Sequence, residues 1–152
     1  MTANGSAPAF AAIMFLTGVG IPILAALNGG LGARLGSPMA ASMILFGLAF
    51  LIATAGALMT GSVGQVRFSG DIPVQYYFGG LFVAFYVIAV TFIAPKFGVG
   101  NAIFFVLVGQ LISAATIDHF GLFGAMRSAI DVKRVAGIAL MIAGVYLARR
   151  TA

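Results

Sequence analysis

The sequence predicts an all-α membrane protein of five transmembrane helices, and three observations carry that expectation. First, 62% of the 152 residues are hydrophobic and only 7% are charged, against roughly 45–50% apolar and about 25% charged in soluble domains. So little charge cannot solvate a globular surface, and the excess apolar area has to face lipid. Second, the few charges are spaced. None precedes Arg34, and none falls between Arg34 and Arg67, Asp71 and Lys96, Lys96 and Asp118, or Arg134 and Arg149. A spanning helix needs about 20 mostly apolar residues, and the first four gaps provide them. The fifth gap is short, but Lys133, Arg134, Arg149 and Arg150 have stems long enough to snorkel to the headgroups. Third, glycine, proline and asparagine cluster between the gaps, where turns are needed.

The elements follow in order. The first helix is expected from Pro8 to Leu27, since proline suits a first helical turn, and Asn28-Gly29-Gly30 reads as the turn that ends it. Met1 to Ala7 carries no Lys or Arg, so the basic start of a cleavable signal is missing and this run is expected to remain as a helix. Within it, Gly18-Val19-Gly20-Ile21-Pro22 should disturb the helix near mid-membrane. Pro22 frees the Gly18 carbonyl, which must then face protein, water or a ligand.

The second helix is expected to start on Ser37 as N-cap with Pro38 as its first residue, and to run to Thr60. Gly61 to Ile72 reads as an exposed loop. A third helix is expected from Pro73 to Ala94, anchored by Tyr76 and Tyr77 at the interface and ended by Pro95-Lys96. Gly98-Val99-Gly100-Asn101 should turn into a fourth helix that reaches Ile117. Asp118 to Arg134 is the most polar connection. A fifth helix, capped by Asp131, should run from Val132 to Ala148. One five-helix domain over residues 1–152 is expected.

Charge placement bears on orientation. With five crossings, one side carries Arg67, Arg127, Lys133 and Arg134, and the other Arg34, Lys96, Arg149 and Arg150. Lys/Arg asymmetry orients membrane proteins, and here the two sides balance. Insertion in both orientations is therefore expected, unless Arg34 or Lys96 counts for less beside the membrane. Two oppositely inserted copies would pair as the halves of an inverted-repeat transporter.

The same stretches resemble a known family. Gly-Ile-Pro-Ile-Leu-Ala-Ala-Leu-Asn over residues 20–28 and Leu31-Gly32-Ala33-Arg34-Leu35-Gly36-Ser37-Pro38 are similar to the first half of the YdcZ-type proteins, a five-helix branch of the drug/metabolite transporter superfamily. The second half is similar through Tyr76-Tyr77-Phe78-Gly79-Gly80, Ala94-Pro95-Lys96-Phe97-Gly98, Gly109-Gln110-Leu111-Ile112-Ser113 and Asp118-His119-Phe120-Gly121. The resemblance covers nearly the whole chain. It implies a half-transporter of the inner (plasma) membrane of a bacterium that works as a dimer, antiparallel or with a sibling subunit. Leu24 departs from the family's usual glutamine two residues after the first-helix proline. The chain has no glutamate at all, so it lacks the mid-membrane carboxylate with which the four-helix small multidrug resistance relatives export cations.

Candidate functional residues are the polar groups within hydrocarbon, which are costly there. Gln110, with Ser113 one turn on, either lines a solute cavity or forms an interhelical hydrogen bond. Gly18, Pro22 and Tyr77 are expected to line the same cavity. Asn28 and Asn101 lie beside glycines at expected helix ends, where capping or turn formation competes with a place in the cavity. Asp118 and His119 are candidates for proton coupling. Alternatively, Asp118 opens an Asx-turn or pairs with Arg127, and His119 faces the headgroups. Ala139 with Ala143, and Gly144 with Ala148, are small pairs four apart that favour helix association in lipid, so the fifth helix is the expected dimer contact.

No catalytic triad, metal cage or phosphate loop can be assembled. Cysteine is absent, and no basic run tracks a nucleic acid. The expectation is a secondary transporter and not an enzyme, without cofactors, for small polar neutral or anionic solutes, since an unpaired cation would find no carboxylate in the membrane. Its partners are lipid, solute and a second copy. The alternative is an accessory membrane subunit, or half of a heterodimer, with no activity alone.

Overall fold

The computed structural model describes residues 7–66 and 72–148. Among these, five α-helices form, α1 (Ala7–Leu35), α2 (Pro38–Met59), α3 (Gly79–Phe97), α4 (Val99–Phe120) and α5 (Val132–Ala148), with short 3-10 turns at Ser62–Gln65, Val74–Phe78 and Leu122–Gly124. The expectation of an all-α membrane protein holds. Four helices, counting Val74–Phe97 as one run, are long and apolar enough to cross a bilayer. The fifth has 17 residues, about 25 Å at the helical rise, a few ångströms short of a hydrocarbon core of about 30 Å. Arg67, Arg149 and Arg150, used above to weigh charge across the membrane, lie outside the described residues, as does Asp71, which bounds one of the uncharged gaps. The chain divides into two compact units, Met1–Lys96 and Phe97–Ala152.

In the first unit, α1 runs 29 residues, with Pro22 inside it, and does not stop at Leu27. The expected turn at Asn28-Gly29-Gly30 is helical instead. Asn28, Gly29 and Gly32 are buried there, and the Asn28 side chain is satisfied by another helix, so it does not compete for its own backbone. The helix ends eight residues later in a Schellman motif. Gly36 takes φ 66°, its N–H donates to Ala33 O at 3.3 Å, and the Ser37 N–H donates to Gly32 O at 3.0 Å. Ser37 then begins α2 as expected: its Oγ accepts the Ala40 N–H at 3.1 Å, with Pro38 as first residue.

The start of the third run is 3-10 and becomes α-helical only at Gly79. Pro95 sits inside α3 and does not end it. Proline leaves the carbonyl four residues back without its donor, here that of Thr91. Gly29 packs over this place: a Cβ on it would stand 3.0 Å from Pro95 Cγ and 3.9 Å from Thr91 O. The proline is tolerated where a neighbouring helix carries no side chain.

In the second unit, Gly98 (φ 90°) caps α4, and the Asn101 amide Nδ2 donates back to Phe97 O at 3.0 Å. Asn101 therefore closes the tight turn. Phe104 and Phe105 stack edge to face with centroids 4.8 Å apart. α4 continues past Ile117 to Phe120 and ends on Gly121 at φ 63°, which takes Asp118 and His119 into its last turn. Asp131 caps α5, its Oδ1 accepting the Arg134 N–H at 2.7 Å.

Candidate functional site

Polar side chains gather in two places, one in each unit. In the first unit the buried face of α3 presents Val87, Val90, Thr91 and Ala94. Thr91 is fully buried, and its Oγ1 accepts from Asn28 Nδ2 at 2.6 Å while donating to the Val87 carbonyl at 2.6 Å. Gly32 makes the approach possible: a Cβ there would lie 3.2 Å from Pro38 Cα and 3.4 Å from Thr91 Cγ2. Ser42, also buried, returns its hydroxyl to Pro38 O at 2.9 Å. One hydroxyl in this unit stands apart. Tyr86 Oη is shielded from solvent yet has no hydrogen-bond partner.

Asn28 therefore belongs to a helix–helix contact of α1 with α3, not to a cap or turn. A double-mutant cycle of Asn28→Leu and Thr91→Val, read by thermal unfolding in detergent, is expected to give a coupling of about 0.6–1.7 kcal/mol. Additive losses would show that the bond contributes nothing.

In the second unit the end of α4 is tied to the start of α5. Arg134 forms an ion pair with Asp118, and its Nη1 reaches Ser128 O at 3.4 Å. The Ser128 N–H donates to Asp118 O at 2.8 Å. His119 Nδ1 accepts the Ile130 N–H at 3.0 Å, which defines that nitrogen as the unprotonated one. Arg127 Nε donates to His119 O at 3.3 Å. Two expectations are corrected here. Asp118 opens no Asx-turn, because it is helical, and its cation is Arg134 and not Arg127. Arg134 lies in the first turn of α5 and pairs with Asp118 at the α4 end, whereas Arg127 is held by a backbone carbonyl.

The remaining candidates are dispersed. Gln110 and Ser113 are exposed on one side of α4, and neither side chain hydrogen-bonds to any described residue. Gly18 is exposed, with open space where a Cβ would project, and Pro22 is half-buried. Tyr77 is exposed in the 3-10 turn. Ala139, Ala143, Gly144 and Ala148 are all exposed on α5, which buries none of its residues. Sequence reasoning missed Thr91, Ser42 and Tyr86. Thr91 carried the same signal as Gln110, a polar group inside an apolar run, but threonine satisfies itself on its own helix and reads as unremarkable.

No curated protein and no solved structure matches the chain. The family model described as "Putative inner membrane exporter, YdcZ" matches residues 9–147, from the first turn of α1 to the last turn of α5. With that span covered and four helices of membrane length, the chain is an integral inner-membrane protein that belongs to the YdcZ branch of the drug/metabolite transporters.

Proposed function

We propose that this exporter-family chain is a secondary transporter of small polar, neutral or anionic metabolites, working as an antiparallel dual-topology homodimer. The observation that carries the reading is Gln110. An amide halfway along a membrane-length helix, exposed and without a partner among the described residues, is costly against lipid. A second copy, water in a cavity, or solute has to satisfy it. Ser113 shares its face, and Gly18, Pro22, Tyr77, Asn28 and Asn101 are the further proposed solute-binding residues. The small residues of α5 are the proposed seam between copies. Two oppositely inserted copies are then the two halves that rock around the cavity.

The described acids support the substrate class. Asp118 is engaged by Arg134 and Asp131 by the α5 cap, so neither is free to meet an organic cation in the membrane. His119 is the proposed proton-coupling group, with Asp118 beside it. A proton on Nδ1 replaces the lone pair that holds the Ile130 N–H and releases the loop from the α4 end.

Because the chain has no cysteine, single cysteines at Thr2 and Ala125 report orientation cleanly. Both should be labelled from either face of intact and inverted membranes, and the same protein alone in liposomes should take up solutes from a panel of neutral and anionic metabolites. Labelling from one face alone, with no uptake by the pure chain, would replace the homodimer by a heterodimer or an accessory subunit.

A further inference from the structure

The connection between α4 and α5 carries an exposed apolar tip, and the same stretch holds two cations, Arg127 and Lys133, that form no ion pair with a described residue. Phe123 is 65% exposed and Met126 90%. Phe123 is held at φ 56°, the one non-glycine residue with positive φ among the described residues. L side chains rarely adopt that conformation, and its neighbours Gly121 and Gly124 show what the turn ordinarily selects. The strained backbone therefore turns a phenyl ring outward, where no described residue covers it. Around it, the anions are already spent: Asp118 on Arg134 and Asp131 on the α5 cap. The cations are not. Arg127 uses only Nε, on a carbonyl, and Lys133 makes no ion pair or hydrogen bond with any described residue. The loop joins the ends of two apolar helices, which places it at the depth of the lipid headgroups.

We propose that this loop is a docking surface for the headgroup of an acidic phospholipid, with Arg127 and Lys133 on the phosphate and Phe123 and Met126 sunk into the boundary with the acyl chains. Guanidinium and ammonium groups pair with phosphodiesters, and aromatic rings settle at this interface. The pairing of unspent cations with an outward apolar tip distinguishes an acidic lipid from a zwitterionic one, whose own ammonium group would be repelled. The proposal stands independently of transport and of the dimer.

The chain has no tryptophan, so Phe123→Trp provides a single indole that can be excited selectively over the tyrosines. In vesicles of equal parts phosphatidylglycerol and phosphatidylcholine, bromine is placed on the acyl chains of one lipid or the other. Brominated phosphatidylglycerol is expected to quench at least about threefold more strongly than brominated phosphatidylcholine. Arg127→Gln with Lys133→Gln should bring the two to parity, while Lys96→Gln, in the last turn of α3, leaves the preference intact. Equal quenching in the unsubstituted background, no quenching by either lipid, or the same loss in Lys96→Gln would each overturn the proposal. Met126→Trp repeats the measurement should the tryptophan at 123 prevent folding.

Discussion

Gly32→Leu is expected to leave little or no folded protein. The position is buried, and even a Cβ would meet Pro38 Cα at 3.2 Å and Thr91 Cγ2 at 3.4 Å. The first of these is backbone, and it cannot retreat. Pro38 is held between the Schellman bond from Ser37 N to Gly32 O and the cap from Ala40 N to Ser37 Oγ. A leucine adds three further carbons in the same direction. Overpacking typically costs about 1–3 kcal/mol, and here it also pries Thr91 from Asn28, against a total stability of about 5–15 kcal/mol for a domain. Gly32→Ala should fold with a lower melting temperature in detergent. Gly47→Leu, on α2 where nothing lies within 4 Å of the added Cβ, should behave as the parent. A Gly32→Leu protein as stable as Gly47→Leu would refute the packing account of α1 against α2 and α3.

Gln110→Leu is expected to lower uptake by about tenfold or more, while stability stays the same or rises. Removing the amide leaves a polar solute with an unmatched group in a low-dielectric cavity, a loss of about 1–3 kcal/mol, and each 1.4 kcal/mol is a factor of about ten. Nothing among the described residues depends on Gln110, and leucine is the better side chain against lipid, so the fold should not suffer. Gln110→Asn should retain part of the activity. The two readouts separate the readings: if melting temperature falls while uptake per folded protein holds, Gln110 is glue between copies and not part of the cavity.

Much of the architecture was legible in the residues. Uncharged gaps locate the long helices because an ionised side chain is excluded from hydrocarbon and an apolar stretch that long is excluded from water. Ser37-Pro38 announces α2, and Asp131 announces α5, because capping is local chemistry between neighbours in sequence. Boundaries failed where a distant residue intervened. Asn28-Gly29-Gly30 has the composition of a turn, yet it is helical because Thr91 takes the asparagine and Pro95 takes the space over the glycine. Pro95 reads as a stop, yet it lies within α3 for the reciprocal reason. Asp118 and His119 read as loop, yet the helix extends through them, since Arg134 and the Ile130 N–H, 16 and 11 residues on, bind them there.

The candidate site divides in the same way. That polar groups in the membrane deserve attention could be read from Gln110 alone. Which of them are already satisfied could not. Asn28 and Asn101 are indistinguishable as text, each an asparagine beside glycine. One spans two helices and the other closes a turn, while the Gln110 side chain hydrogen-bonds to no described residue.

By itself, then, the order of residues determined that the protein lives in a bilayer, how many helices it forms and where the local caps stand. Each of these depends on solvation or on contacts within a few residues. Only the tertiary structure decided where α1 and α3 end, that Thr91 answers Asn28, that Arg134 answers Asp118, and which polar groups remain open. Those outcomes hinge on groups far apart in sequence meeting within hydrogen-bond reach, a condition that no periodicity or spacing encodes.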